Sequence, residues 1–172
     1  MRDWPQVKMS RIIWHWTAGT YTPSDLDLSH YHFVIDGNGQ YHDGVNIEYN
    51  AAPIDLMRYA AHTKQCNSES IGISVAAMAG AKTVTDWGTY PVKRAQIDTL
   101  ISLSVALGHF YNIPVTDKTM LSHAEVENNL GIKQRGKWDI AVFPFMPSFN
   151  TAKLCGDYLR SKVQEGLNVH NG

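Results

Sequence analysis

The stretch Ile12-Ile13-Trp14-His15-Trp16-Thr17 decides the fold of this chain. It is a short run of apolar, aromatic and β-branched residues, and such runs are typical of buried strands. Ala18-Gly19-Thr20 follows directly and predicts a loop. A buried strand rarely carries a histidine unless the ring is hydrogen-bonded or binds a ligand. A lone histidine is more often a hydrogen-bonded core residue, so the interpretation of His15 depends on the rest of the chain.

The composition is that of a folded protein without a dominant charge. The chain has 172 residues, 44% of them hydrophobic and 18% charged, so we expect one domain over residues 1–172 with a substantial core. Its 15 basic and 16 acidic residues argue against nucleic acid as a partner, because phosphate binding relies on a basic excess. Eight histidines are many for this length, and a metal site is one reason for such an excess.

The cysteines and the N-terminal residues indicate in which cellular compartment the protein is made. Cys66 and Cys155 match no CxxC pattern, so the sequence is compatible with one disulfide or with two free thiols. Residues 1–5 are not followed by the apolar segment that a signal peptide requires. No run of about 18 apolar residues occurs either. We therefore expect synthesis in the cytoplasm without a signal peptide, no membrane span, and a monomer by default.

The other elements are predicted from periodicity and turn residues. They are a helical turn at 23–28, a hairpin of 31–35 and 40–42, strands at 71–76 and 119–123, helices at 92–111 and about 148–165, a polar loop at 125–138, and a frayed tail after 166. Strands and helices alternate around one hairpin. We therefore predict an α/β fold with a central mixed β-sheet flanked by α-helices.

A second histidine, His123, ends another predicted strand. Neighbouring central strands of an α/β sheet place their C-terminal ends along one edge, where ligands usually bind. His15 and His123 are therefore expected side by side. A catalytic zinc site needs three protein ligands and a water. The third donor is expected in the segment after His123, where Glu125, Glu127 and Asp139 are the candidates.

Five segments in a fixed order carry a family resemblance. They are Ile13–Ala18, the hairpin from Tyr31 to Gly39, Ala61-His62-Thr63 with Asn67 and Ser70–Ile73, Ser122–Val126, and Lys137-Trp138-Asp139. Together they resemble the zinc-dependent N-acetylmuramoyl-L-alanine amidases of the amidase-2 class, which include phage endolysins, muropeptide-recycling amidases and peptidoglycan recognition proteins. The resemblance covers about residues 10–145. It implies the fold shared by the amidases and the recognition proteins.

The resemblance also implies the roles of individual residues. It implies one zinc ion per chain, held by His15, His123 and Asp139, which leaves Glu125 as a local structural residue. The implied reaction is hydrolysis of the amide bond between N-acetylmuramic acid and L-alanine in peptidoglycan.

Four further side chains are candidates at the same site. The resemblance implies that Lys137 stabilises the oxyanion and that Tyr31 orients the water or passes a proton. His62 matches a histidine near the family's substrate cleft, with a structural role as the alternative. Thr17 lies just beyond the first ligand strand and is expected to line the cleft.

The segment Ile73-Ser74-Val75-Ala76 bears on the type of amidase. Recycling enzymes of the family carry a glutamate shortly after the preceding motif, and this segment has no carboxylate. We therefore expect an antimicrobial hydrolase of the phage or prophage endolysin type, which degrades the cell wall from the periplasm after release. A non-catalytic module that binds muropeptide and a cytosolic recycling amidase remain the alternatives.

Overall fold

A mixed five-stranded sheet runs through the centre of the computed structural model, which describes residues 3–171. The strands are β1 (Arg11–Trp16), β2 (Phe33–Ile35), β3 (Tyr41–Asp43), β4 (Ser70–Val75) and β5 (Met120–Ser122). Their order is β3-β2-β4-β1-β5. Only the β2–β3 hairpin is antiparallel, and the other three pairings are parallel. The predicted mixed α/β sheet is confirmed.

Helices cover the sheet. They are α1 (Asp25–His30), α2 (Arg94–Tyr111), α3 (His123–Leu130) and α4 (Ala152–Asn171), with a 3-10 turn at Ile47–Asn50. α2 packs against α4, β2 and β4, whereas α3 packs against β1, β5 and α4. None of the helices within residues 3–171 is long and apolar enough to cross a membrane.

Side chains alternate along a strand, so the two faces of β1 pack against different parts of the molecule. Trp14 belongs to the main core, and its indole Nε1 donates a hydrogen bond of 2.9 Å to Ser104 Oγ in α2. Ile13 lies in a smaller cluster that includes Leu121. His15 shares the face of Ile13, so its ring projects from the side of β1 that α2 does not cover.

The segment after β5 differs from the prediction. Residues 123–130 form α3, so His123 begins a helix rather than ending a strand, and the predicted loop at 125–138 is partly helical. Ser122 and Glu125 form a capping box, in which the Ser122 backbone N–H donates to Glu125 Oε1 at 3.0 Å. Such a box supplies partners for backbone N–H groups at a helix start, which favours helix here.

The C-terminal helix is longer than predicted. α4 continues to Asn171, so the expectation of a frayed tail after Gly166 is wrong. A Cβ at Gly166 would come within 2.6 Å of Val105 Cγ2, so the glycine lets α4 pack closely on α2. Leu167 is buried in the same contact region, and this packing stabilises the last turns. Cys66 and Cys155 are both buried free thiols.

Candidate metal centre and active site

Three elements bring two histidines and an aspartate together. His15 comes from β1, His123 from the first position of α3, and Asp139 from the segment that follows α3. His15 Nδ1 lies 3.1 Å from His123 Nδ1 and 3.3 Å from Asp139 Oδ2. His123 Nδ1 lies 3.6 Å from Asp139 Oδ1. All three residues are buried, and one donor atom from each lies within 4.8 Å of the others.

The chemistry of these donors fits a divalent metal. Burial lowers the pKa of His15 to about 4, so the ring is neutral at pH 7 and keeps a lone pair for a metal. Burial alone would raise the pKa of Asp139, but hydrogen bonds with His123 and His15 outweigh it and hold the pKa well below 3.8. Two imidazoles and one carboxylate form a known donor set of catalytic zinc sites.

The Nε2 atoms of His15 and His123, which point away from Asp139, also have protein partners. His15 Nε2 lies 3.1 Å from His62 Nδ1 and 3.4 Å from Thr63 Oγ1. His123 Nε2 lies 2.7 Å from Gln134 Oε1. In both rings Nδ1 is therefore the atom that faces the third donor.

Tyr31 and Lys137 lie beside this group. The rings of Tyr31 and His15 have centroids 5.1 Å apart. Burial and the nearby Asp139 carboxylate raise the pKa of the Tyr31 hydroxyl well above 10, so it remains an O–H donor at neutral pH. Lys137 is exposed, and its positive charge contributes to the lowered pKa of His15.

A cleft of about 900 Å³ opens over the three donors. It is lined by all seven predicted site residues except the fully buried His15: Thr17, Tyr31, His62, His123, Lys137 and Asp139. Lys64 and Arg135 add two exposed cations to its rim. Asp139 is the only carboxylate among the described residues that line it.

Two predicted substrate contacts have different surroundings. Thr17 is half-buried in the cleft wall, and its Oγ1 accepts hydrogen bonds from the N–H groups of Gly19 and Ala77 at 3.1 and 3.3 Å. His62 is buried, its Nε2 lies 3.1 Å from the Ser70 carbonyl oxygen, and its Nδ1 faces His15. Both nitrogens of His62 therefore meet protein atoms, which favours the structural alternative for this residue.

The two nearer carboxylates are engaged elsewhere. Glu125 is buried and accepts hydrogen bonds from Arg160 of α4 at 2.8 and 3.2 Å. Glu127 accepts the backbone N–H of Gln134 at 2.9 Å. Asp139 is thus the only one of the three candidate acids that lies beside both histidines.

A family profile covers the same site. The profile described as amidase-2, N-acetylmuramoyl-L-alanine amidase, matches residues 5–139. The chain belongs to the amidase-2 family. The matched span contains every predicted site residue and ends at Asp139. No curated protein is significantly similar to this amidase-2 sequence.

Solved structures share the fold of this amidase-2 chain. The N-acetylmuramoyl-L-alanine amidase LysC from Clostridium intestinale URNW is 17% identical, with a TM-score of 0.53 over 95% of this chain and 94% of that chain. The endolysine amidase LysCS from the same organism is 17% identical, with a TM-score of 0.53 over 95% and 92%. A mutant of PlyL is 17% identical, with a TM-score of 0.52 over 92% and 86%. At these identities the likeness shows the fold alone.

Sequence reasoning missed two residues of the amidase-2 site, Gln134 and Thr63. Gln134 lies in a polar segment without periodicity, so nothing local marks its contact with His123. Thr63 had a signal, since it follows His62 in one of the family segments. The Asn67 side chain fixes that segment by accepting the N–H groups of His62 and Thr63 at 3.0 and 2.9 Å.

Proposed function

We propose that this protein is a zinc-dependent N-acetylmuramoyl-L-alanine amidase, with the whole chain acting as its catalytic domain. It hydrolyses the amide bond between N-acetylmuramic acid and L-alanine in peptidoglycan. The observation that carries this proposal is the buried group of His15, His123 and Asp139 at the floor of a cleft, in a chain of the amidase-2 family.

The proposed zinc ligands are Nδ1 of His15, Nδ1 of His123 and the Asp139 carboxylate. When bound, a zinc ion supplies Lewis acidity to a carbonyl oxygen and to a water molecule. The three ligands come from a strand, a helix start and a packed segment, so the site needs little rearrangement to accept the ion.

Lys137 and Tyr31 are proposed to act on the substrate. Negative charge develops on the carbonyl oxygen as water adds to the carbon, and the exposed Lys137 ammonium can stabilise it. The C–N bond then breaks, and the alanine nitrogen leaves as an amine once it gains a proton. Tyr31 keeps its O–H at neutral pH, so it suits the role of hydrogen-bond or proton donor better than that of base.

The charge around the cleft supports a substrate that carries a peptide. Lys64, Arg135 and Lys137 line the cleft, and none of them forms a salt bridge within residues 3–171. A cationic cleft favours a ligand with negative charge. Stem peptides of peptidoglycan carry carboxylates, whereas the unsubstituted glycan would offer less charge to these side chains.

The endolysin role belongs to the same proposal. We propose a lytic enzyme of the phage or prophage type that acts on the cell wall after release. The absence of a carboxylate at Ser74 and Ala76 argues against the recycling alternative. The intact set of three donors argues against a module that only binds muropeptide.

The test is digestion of purified peptidoglycan with the metal-free protein, the zinc-loaded protein and the loaded protein plus chelator. Mass spectrometry of the products should find stem peptides with a free N-terminal alanine only when zinc is present. Intact peptidoglycan together with measurable muropeptide binding would favour the recognition module instead. Cleavage between sugars would contradict the proposed chemistry.

A further inference from the structure

We infer that His62 and Gln134 are positioning residues that fix the tautomers of His15 and His123, so that both rings present the lone pair of Nδ1 to the metal. This inference rests on the proposed zinc site. It assigns to His62 a role other than contact with substrate, and it gives Gln134 a role that the sequence did not indicate.

A backbone carbonyl next to His62 determines the tautomer of His15. The Ser70 carbonyl oxygen can only accept, so the His62 Nε2 that lies 3.1 Å from it carries the hydrogen. His62 is buried, and its partners among the described residues, the Ser70 carbonyl, Thr63 Oγ1 and His15, include no anion, which favours the neutral ring. Its Nδ1 therefore has a lone pair, which accepts from His15 Nε2–H at 3.1 Å.

The opposite tautomer of His15 is disfavoured. It would direct two lone pairs, those of His15 Nε2 and His62 Nδ1, at each other across 3.1 Å. Its gains would be hydrogen bonds from His15 Nδ1 to Asp139 Oδ2 at 3.3 Å or to His123 Nδ1 at 3.1 Å, and a metal held by these three residues would replace both. Thr63 Oγ1 lies 2.8 Å from His62 Nδ1 and 3.4 Å from His15 Nε2, so its hydroxyl can donate to His62 and accept from His15 in the inferred tautomer.

Another backbone carbonyl, next to Gln134, determines the tautomer of His123. Gln134 Nε2 donates to the Lys64 carbonyl oxygen at 2.8 Å, which fixes the orientation of the amide. Gln134 Oε1 therefore faces His123 Nε2 at 2.7 Å and requires a hydrogen on that nitrogen. The competing contact, from His123 Nδ1 to Asp139 Oδ1, is longer at 3.6 Å.

Both positioning residues make further contacts that hold them in place. A Cβ at Gly72 would come within 2.5 Å of His62 Cγ, so the ring packs directly on the backbone of β4. Gln134 is tied at its backbone N–H to Glu127 in α3. Partners beyond the ligands orient metal-binding histidines, and their loss typically lowers metal affinity about 10- to 100-fold.

The first test needs no variant. Nitrogen-15 NMR of the histidine rings in the zinc-loaded wild-type protein should find hydrogen on Nε2 of both His15 and His123. Hydrogen on Nδ1 of either ring would overturn the inference for that ligand. This measurement does not depend on activity, so it separates the inference from the proposed function. A protein with these tautomers and no amidase activity would contradict only the proposed function.

The second test uses two Gln134 variants. Gln134→Met removes the acceptor at similar volume and should weaken zinc binding about 10- to 100-fold, measured by competition with a chromophoric chelator. Gln134→Glu keeps an acceptor oxygen for His123 but loses the donor to the Lys64 carbonyl, so it should restore part of the affinity. Gln164→Met, on the exposed face of α4, is the matched control.

The same design applies to His62. His62→Phe removes the acceptor for His15, whereas Asn at this position offers its Oδ1 near the place of Nδ1. We expect weaker zinc binding for His62→Phe than for His62→Asn. Wild-type zinc affinity in both Gln134→Met and His62→Phe would overturn the inference. If His62→Phe fails to fold, the wild-type spectrum and the Gln134 pair still decide it.

Discussion

At the scale of single residues, Lys137 and Asp139 lie two positions apart and meet different environments. Asp139 is buried beside two imidazoles, whereas Lys137 is exposed in the cleft. A buried carboxylate is available to a metal, while an exposed ammonium can reach a substrate. One short segment can therefore supply both a ligand and a charge for the developing oxyanion.

Replacement of Lys137 tests this division. We expect Lys137→Ala to lower kcat about 100- to 1000-fold, because one oxyanion donor is lost. Zinc stoichiometry should stay at the wild-type value, since Lys137 is not among the proposed ligands. Turnover of a soluble muropeptide and metal analysis of the same sample provide the measurement. Lys133→Ala, at an exposed position that does not line the cleft, is the control, and wild-type turnover in Lys137→Ala would remove Lys137 from the mechanism.

At the scale of elements, α3 joins the site to the rest of the fold. Its first residue is His123, and its third is Glu125, which caps the helix and pairs with Arg160 of α4. A Cβ at Gly156 would overlap the Glu125 carboxylate, so α4 lies directly on this pair. The position of His123 therefore depends on a buried contact between two helices.

Glu125→Gln should separate stability from metal binding. We expect the free energy of unfolding to fall by about 3 kcal/mol, because the change leaves the charge of Arg160 with less compensation in a buried place. The loss should lie at the low end for a broken buried pair, since Arg160 also bonds Asp157 at 2.9 Å. Urea denaturation gives this value.

Asp139→Asn is the matched carboxylate-to-amide control. It should abolish tight zinc binding, whereas Glu125→Gln should bind zinc like the wild type in the same chelator competition. Loss of zinc in folded Glu125→Gln, or its retention in Asp139→Asn, would contradict the choice of Asp139 as the third ligand.

At the scale of the whole molecule, charge is unevenly distributed. The formal charge is only −1, yet the described rim of the cleft carries Lys64, Arg135 and Lys137. A local excess of one sign attracts ligands of the opposite sign even when the net charge is near zero. Composition alone could not reveal this, since it averages over the entire surface.

The rim predicts a dependence on salt and on charge. We expect Lys64→Gln with Arg135→Gln to raise KM for a muropeptide that has free carboxylates, with little change in kcat. Added salt should raise the wild-type KM, because exposed charges are screened over about 10 Å at 0.1 M ionic strength. Lys8→Gln, at an exposed position outside the cleft, is the control. A KM independent of salt and unchanged in the double variant would contradict an electrostatic role.

Acid should destabilise the metal-free protein. Burial lowers the pKa of both His15 and His32 to about 4, against an ordinary value of 6.5. Between these values the unfolded state binds protons that the folded state does not, so stability falls as pH falls from 6.5 to 4. Each such histidine contributes a slope of up to about 1.4 kcal/mol per pH unit. Urea denaturation across this range should show the decline, and a flat profile would contradict neutral burial of these rings.

Local patterns determined much of the fold. The apolar run at 12–17, the turn residues at 36–39 and the helical period at 92–111 correspond to β1, the hairpin and α2. These elements form because of the backbone preferences of their residues and because one face of each is apolar. Both properties can be read from a short segment of sequence. The grouping of His15, His123 and Asp139 was predicted from family segments, and the structure brings the three together. Their roles as ligands stay predictions until the metal is measured.

Tertiary structure decided those features of the helices and of the site that depend on residues far apart in sequence. At the start of α3, Glu125 accepts a hydrogen bond from Arg160, and near the end of α4, Gly166 packs against Val105. Both partners are far away in sequence. His62 contacts His15, and Gln134 contacts His123, only because the folded chain packs these segments together. No periodic pattern in the local sequence predicts such contacts. Sequence by itself thus predicted β1, the hairpin and α2, and it named the residues that can bind a metal. Packing decided how those residues are oriented, because hydrogen-bond partners are chosen by the folded chain as a whole.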